Sequence, residues 1–423
     1  MTATLASEPS AADAHRGPRV AYVVSRFPRL TETFVVDEAL AVVAAGADVV
    51  LHPLHRERAD VVQPRVAALE GRVEHRRLGS PGVLAGFLRG VVRRPGPVVR
   101  ALGTIVWETR RSRRLLVGGL AAFPYAVDLA RRLADDGVDH VHCHFATHPA
   151  AVGWVVHRLT GLPYSFTAHG SDLHRDRSML GTKVADAAFV VTVSQANRAV
   201  ILAECGDAVA DKVHVVRCGI DPDQLPRRPR STAGHPGPVR VCCVGTLHEV
   251  KGQATLVDAC RLLVDEGRDI MCTLVGDGPD RDALEERAER AGLAGRVRIT
   301  GRVARPEVVA VLAEADVLVA PSVASTDGRR EGLPVVVLEA MAVGVPVVAS
   351  RLSGIPEAVE DEVTGLLVPP GDPGAVAAAI GRVLDDPVAA EARVERAAER
   401  VAADFSLDAS ARRLVGLFGG ATS

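Results

Sequence analysis

Short apolar runs alternate with longer stretches in which apolar residues recur every three to four positions, and the alternation repeats along most of the chain. A run of about four to eight β-branched or aliphatic residues, closed by a polar residue or a glycine, predicts a strand buried on both faces. The longer periodic stretches predict helices that cross back over the sheet, so the whole pattern is that of parallel βαβ units. In the first half, Arg19–Ser25, Ala47–His52, His140–His144, Tyr164–Ala168, Phe189–Ser194 and Val213–Arg217 predict strands, and Thr33–Gly46 predicts a helix that stops at its glycine. In the second half the strands are Val239–Val244, Ile270–Val275, Val297–Thr300, Val317–Ala320, Val345–Ala349 and Gly365–Val368. Residues 222–239 interrupt the alternation with five prolines and two glycines, the composition of an exposed linker. The expected fold class is α/β, with two Rossmann-like, doubly wound parallel-sheet domains at residues 18–221 and 240–404 and a hinge between them. An Ala/Ser-rich tail (1–17) precedes them, and a C-terminal helix (405–423) can pack back on either half.

Composition narrows the function. At 423 residues the chain exceeds one typical core, which agrees with two domains. A net charge of −2 and only 3% aromatic residues leave neither a global positive field nor stacking platforms, so nucleic acid is excluded as a partner. The seven cysteines are odd in number and form no C-x-x-C pair, so neither a zinc site nor a disulfide framework is expected, and a reducing cytoplasm fits. The N-terminal residues lack the order of a signal peptide, and no apolar run reaches membrane-spanning length. Residues 83–118, rich in arginine and aliphatics, have two readings: a membrane-surface or lipid-acceptor patch, or a pair of solvated helices covering the sheet. Pro95 and Pro97 break any long amphipathic face there.

The richest candidate chemistry runs from Glu331 to Ala342, EGLPVVVLEAMA. Pro334 suits the first turn of a helix, and Gly332 lets the backbone approach a ligand closely. The free N–H groups of such a helix start, Leu333 included in its approach, suit a diphosphate. Glu339 lies over a turn into the helix with its side chain tilted back toward the start, where a carboxylate can accept bonds from adjacent hydroxyls such as those of a ribose. Flanked by apolar residues, it needs partners. Glu331, on the preceding loop, is placed to meet the hydroxyls of a sugar beyond the diphosphate.

This Glu-x7-Glu segment resembles the donor signature of retaining glycosyltransferases of family 4, which have the GT-B fold, and the exopolysaccharide and colanic-acid type in particular. The resemblance extends through Val275–Pro279, Ala315–Ser322, Gly344–Ala349, Ser353–Glu357 and Thr364–Asp372, covering nearly the whole chain. It implies that Glu331 contacts the donor sugar and Glu339 the ribose. Val244–Gly252 resembles the family's diphosphate turn, with Gly245 and Lys251 in place. Thr246 stands where such turns carry an arginine, and Arg26, Arg29 or Arg302 are candidates for the missing charge. Gly276-x-Gly278 imitates a dinucleotide fingerprint, but Arg281 replaces the third glycine, so a turn role is expected instead.

In the first half, Ser165–Asp172 (SFTAHGSD) places His169 at the carboxyl edge of a buried strand, where ligands of open α/β sheets bind. The resemblance implies that His169 lines the reaction centre beside the donor sugar. Asp172 either orders this loop or touches the acceptor. His140, His142 and His144 share one face of a strand, but no carboxylate or cysteine set accompanies them, so no metal is expected. The resemblance places His144 at the cleft floor. Asp221-Pro222-Asp223 spells an Asp-x-Asp motif, read as turn chemistry. The loop Ser25–Phe34 replaces a glycine-rich first loop and is expected to reach the cleft, with Arg26 as a contact. Glu32 is either a contact or a plain helix-start carboxylate.

The implied reaction is metal-independent transfer, with retention, from a UDP- or GDP-sugar to a hydroxyl acceptor: a glycan, a lipid-linked sugar or a small molecule. No cofactor is expected, the nucleotide sugar being a substrate. A lipid-linked acceptor would bring the protein to the inner face of the membrane. An epimerase, or a nucleotide-sugar-binding protein without turnover, is the alternative on the same fold.

Overall fold

The computed structural model describes residues 17–29, 32–57, 63–228 and 237–422. The tail at 1–16, Leu30 and Thr31 of the first loop, and 229–236 of the linker lie outside the described residues.

The first sheet is built from β1 (Arg19–Phe27), β2 (Asp48–Arg56), β3 (His140–His144), β4 (Tyr164–Ala168), β5 (Phe189–Thr192) and β6 (Val213–Val215). The second is built from β7 (Val239–Val244), β8 (Ile270–Val275), β9 (Val297–Ile299), β10 (Val317–Ala320), β11 (Val347–Ser350) and β12 (Leu366–Val368). Every pairing is parallel, in the orders β2-β1-β3-β4-β5-β6 and β12-β11-β10-β7-β8-β9. The strands read as continuous apolar runs because both faces of each sheet are covered. Ala21 and Val23 of β1 join one core, while Val20, Tyr22 and Val24 join another on the opposite face. Val317 and Val319 of β10 likewise part from Leu318 and Ala320. Chain order reverses at β1/β3 and at β7/β10, and such switch points open a crevice at the carboxyl ends of the strands.

The C-terminal helix, Leu407–Thr422, leaves the second sheet and packs on the first. Leu407, Ala411, Leu414 and Phe418 bury against the layer of Tyr22, Val35 and Phe189. The chain therefore crosses between the halves twice, and the crossings touch. Ile220 N–H donates to the Phe405 carbonyl (2.9 Å), and Leu407 N–H donates to that of Ile220 (3.1 Å). A Cβ on Gly219 would stand 2.5 Å from the Leu407 backbone, so glycine permits the approach.

Two expectations need correction. The linker is not exposed throughout: Leu225 buries in the core of the second half, and Arg228 N–H donates to the Val343 carbonyl at 2.7 Å. The stretch 222–228 is thus anchored at Leu225 and Arg228, an apolar side chain and a guanidinium that find partners there, while Asp223, Gln224, Pro226 and Arg227 stay exposed. The arginine-rich insertion forms three helices rather than two, Pro81–Arg93, Pro95–Thr109 and Arg113–Asp135. Pro95 separates the first helix from the second, as expected, and opens the second, since its missing N–H costs nothing at that position.

Candidate active site

The carboxyl ends of both sheets border one cleft of about 440 Å³ between the halves. His169, Gly245, Thr246, Lys251, Arg302, Glu331, Gly332, Leu333, Pro334 and Glu339 all line it.

On the second-half wall, β10 runs into a loop that ends at Pro334, the residue capping the helix Val335–Val343. Val335 and Val336 line the cleft, so the helix opens onto it with its first N–H groups. Glu331 Oε2 lies 2.6 Å from Lys251 Nζ. Lys251 ends a short 3₁₀ turn closed by Gly252 at φ +68°, where a Cβ would fall 1.9 Å from the Pro321 carbonyl oxygen. Cβ atoms on Gly276 and Gly278 would fall 2.1 and 2.2 Å from the carbonyl oxygens of Gly245 and Leu247. These two glycines let the turns after β7 and β8 lie backbone on backbone. Thr246 contributes no charge, and its carbonyl accepts from Gln253 Nε2 at 3.1 Å. Arg302 is 61% exposed, with Nε 3.5 Å from Asp277.

Glu339 sits one turn deeper, 6% exposed. Burial pushes its carboxyl above the usual range, and Arg305 opposes the shift. Arg305 Nε donates to Glu339 Oε1 at 3.0 Å, and its Nη1 donates to Asp37 Oδ2 at 3.1 Å. Asp37 belongs to the first half, where Arg65 also donates to it at 2.6 Å. Arg305 N–H donates to Gln63 Oε1 at 3.1 Å. The partner that a buried Glu339 requires is therefore Arg305, which also ties the two halves together.

On the opposite wall, His169 directly follows β4 and lies between the rings of Phe34 and Phe145, at centroid distances of 4.6 and 4.7 Å. Its Nε2 lies 3.2 Å from His144 Nδ1, which leaves Nδ1 for a ligand. Burial, then the neighbouring His144, holds its pKa well below the ordinary imidazole value, so the ring is neutral at physiological pH.

Four expected contacts stand back from the cleft lining. His144 is fully buried beneath His169 rather than at the cleft floor itself. Asp172 is buried and orders the loop: its carboxylate accepts the backbone N–H groups of Ala146, His169 and Gly170 at 2.8, 3.0 and 2.7 Å. Glu32 is buried and accepts from Arg29 Nη1 at 2.6 Å. Arg29 is the arginine of this loop that reaches the cleft. Arg26 points elsewhere, beside His55 of β2, because Phe27 takes the buried side of the strand end and turns its neighbour outward.

The halves also meet at the mouth. A Cβ on Gly332 would fall 2.0 Å from the His169 carbonyl oxygen, so the loop that leads into the helix Val335–Val343 lies against the backbone of the opposite wall. Glu357 accepts the N–H groups of Gln195 and Ala196, both at 2.9 Å, capping the helix Gln195–Cys205 from across the gap. Arg305, Asp37, Gln63 and Glu357 were not legible as site residues. Only Glu357 lies within a family-like stretch, Ser353–Glu357, and nothing in the sequence marks the other three.

Among the described residues, Glu38, His142 and His144 bring possible metal-ligand atoms within 4.8 Å of one another. A carboxylate does accompany the histidines, against expectation: Glu38 Oε1 lies 3.2 Å from His144 Nε2, because the helix after β1 packs over this face. These donors are already engaged. Both ring nitrogens of His142 bond hydroxyls, Ser165 at 2.8 Å and Thr167 at 2.9 Å, and Glu38 accepts from Tyr22 at 3.1 Å. The stripe packs against Phe418 as core. Asp221 caps its own turn by accepting from Asp223 N–H at 3.1 Å, as turn chemistry requires.

Two doubly wound parallel sheets facing one cleft define the GT-B architecture, and the chain belongs to the family 4, group 1 glycosyltransferases. A model described as Glycosyltransferase Family 4 matches residues 31–224, and one described as Glycosyl transferases group 1 matches 238–386. The chain is 33% identical over 310 residues to the 2-deoxystreptamine glucosyltransferase of Streptomyces kanamyceticus, covering 68% of this chain and 78% of that one. It is 38% identical over 174 residues to the amylovoran biosynthesis glycosyltransferase AmsK of Erwinia amylovora, covering 41% of this chain and 42% of AmsK, so it matches less than half of that relative's length. Among solved structures, Anabaena HepE in complex with UDP and glucose superposes with a TM-score of 0.71 at 19% identity, over 95% of this chain and 100% of that one.

Proposed function

We propose that the protein transfers a sugar, with retention and without a bound metal, from a UDP- or GDP-sugar to a hydroxyl acceptor. The observation that carries this reading is the Lys251–Glu331 pair at 2.6 Å, set beside an open helix N-terminus with Glu339 one turn deeper and His169 across the cleft. A diphosphate entering there takes Lys251 from Glu331 and lies on the helix N–H groups, which stabilise the charge that grows as it leaves. Glu331, released, accepts from the donor-sugar hydroxyls. Glu339, held by Arg305, accepts from the ribose. His169, neutral, donates to the sugar from the acceptor side. The bond from the anomeric carbon to the diphosphate breaks as the acceptor oxygen attacks the same face, and the acceptor proton passes to the departing phosphate oxygen. Closure of the halves keeps water from the oxocarbenium-like centre. The UDP-glucose held by HepE agrees with such a donor.

The test is nucleotide release over a panel of UDP-, GDP- and ADP-sugars with and without chelator, with the anomeric configuration of the product read by NMR. Failure of every donor to bind would overturn the reading; binding without product would leave the non-catalytic alternative that Thr246 suggests.

A further inference from the structure

The three helices between Pro81 and Asp135 carry a surface that the cleft chemistry does not use. Ten large apolar side chains stand exposed among the described residues, and eight of them lie between residues 84 and 120. On the first helix Leu84, Leu88 and Val92 recur every four residues and form one outward stripe, with Leu88 61% and Val92 81% exposed. The inward side of the same helix is different: Cβ atoms on Gly86 and Gly90 would collide with Asp128 and Val127 of the third helix. The stripe therefore faces away from the protein. On the second helix Val99 and Trp107 are each 65% exposed, whereas the other tryptophan, Trp154, is buried at 3%.

Charge follows the same surface. Residues 81–121 hold eight arginines and one acidic residue, Glu108, a balance of +7 (8 − 1) in a chain whose net charge is −2. All eight arginines are exposed. Arg89 and Arg93 flank the leucine–valine stripe, and the Arg110 guanidinium lies 3.7 Å from the Trp107 ring centre.

A solvated cover for the sheet has no use for an outward row of leucine, valine and tryptophan. A second copy would bring one +7 surface against another. An apolar stripe bordered by arginines, with an interfacial tryptophan, matches the headgroup boundary of an anionic bilayer, where the apolar face enters the acyl edge and the guanidiniums meet phosphates. We infer that the outward face of the 81–121 helical layer docks the protein on an anionic lipid membrane.

The layer adjoins the acceptor wall. Ser112, capping the third helix, donates to Asp176 in the segment that follows His169, and Arg175 pairs at 3.5 Å with Asp327, four residues before Glu331. Docking would hold the cleft mouth near the bilayer, within reach of a hydroxyl acceptor carried on a lipid. This last clause rests on the transferase reading; the docking does not.

The experiment is co-sedimentation of the full chain with phosphatidylcholine vesicles and with vesicles containing about one third phosphatidylglycerol, at low and high salt. Binding is expected to the anionic vesicles alone and to weaken with salt. A Leu88→Glu/Val92→Glu/Trp107→Glu variant and an Arg89→Glu/Arg93→Glu variant should each lose about tenfold or more in partitioning. These positions are exposed, so unchanged circular dichroism should confirm the fold. Equal binding by the variants, or no binding of the parent chain to anionic vesicles, would overturn the inference. So would a parent-chain dimer that the same substitutions dissolve without any vesicle association. Nucleotide release, measured separately, distinguishes failure of docking from failure of the transferase reading.

Discussion

Replacing Arg305 with methionine keeps the apolar stem and removes the charge that bridges Glu339 and Asp37. Asp37 retains its 2.6 Å bond from Arg65, whereas Glu339 loses the 3.0 Å bond from Arg305 in a site where it is 6% exposed. A hydrogen bond to a charged group contributes about 1.5–3 kcal/mol, and an unaligned or protonated Glu339 would lose most of one such bond to the ribose. A loss of about 2 kcal/mol corresponds to about thirtyfold in nucleotide Kd. The pH dependence has two opposite signs. Burial raises the Glu339 carboxyl, and Arg305 is the first opposing influence, so its removal extends the protonated range upward. Binding that uses the ionised form should then be impaired more at pH 6 than at pH 8. For stability, a raised folded-state pKa means that the folded chain holds the proton longer. The contribution is full below the ordinary carboxyl value and is lost as pH rises through the folded one, so the variant should melt further below the parent at pH 8 than at pH 5. Calorimetric titration with the preferred nucleotide at both pH values, beside thermal melts, measures each arm. Affinity within twofold of the parent at both pH values would refute the assignment of Arg305 as the residue that positions Glu339. Asp37→Asn, which spares the Glu339 bond, is the control.

Other expectations follow from the same geometry. Lys251→Ala should raise donor KM about tenfold or more through loss of a diphosphate charge, whereas His169→Ala should lower kcat with little change in donor KM, both read by steady-state kinetics. Because His169 is neutral well below the ordinary imidazole range, the kcat profile of the parent should lack an imidazole limb near pH 6.5. Acid should destabilise the fold: burial pushes His52 and His140 down to about 3, so the unfolded chain binds protons that the folded one refuses. Their contribution is whole above the ordinary imidazole pKa and is lost as pH falls from there toward about 3, up to about 1.4 kcal/mol per pH unit for each group, visible as a falling Tm. Glu357→Gln should weaken a charge-assisted cap by about 1 kcal/mol and shift the chain toward an open form, seen as a larger radius in solution scattering.

The strands were legible because sheets covered on both faces demand unbroken apolar runs, as in Val317–Ala320 and Tyr164–Ala168, where the expected and observed bounds coincide. The same logic placed His169 at a carboxyl edge, whereas the Glu331–Glu339 segment was legible from its helix-start chemistry and its resemblance to the family signature. Strand ends were less legible. The first strand runs on to Phe27, and that extension turns Arg26 outward and hands the cleft to Arg29. Periodicity carries no record of long-range polar partners. Arg305 meets Asp37 across 268 positions, and both sit in ordinary helical sequence. Leu225 and Arg228 were hidden for a related reason: a proline-rich stretch reads as solvent-exposed until the surface that receives it is known.

The paired crossings at Ile220 and Phe405–Leu407 carry a mechanical consequence. One covalent tether would let the lobes swivel about any direction. Two, laid side by side and mutually bonded, leave a single easy rotation about the line they define, like a door on a pair of pins. Opening and shutting then retrace one path, and the sparse polar bonds at the far rim always come back to the same register.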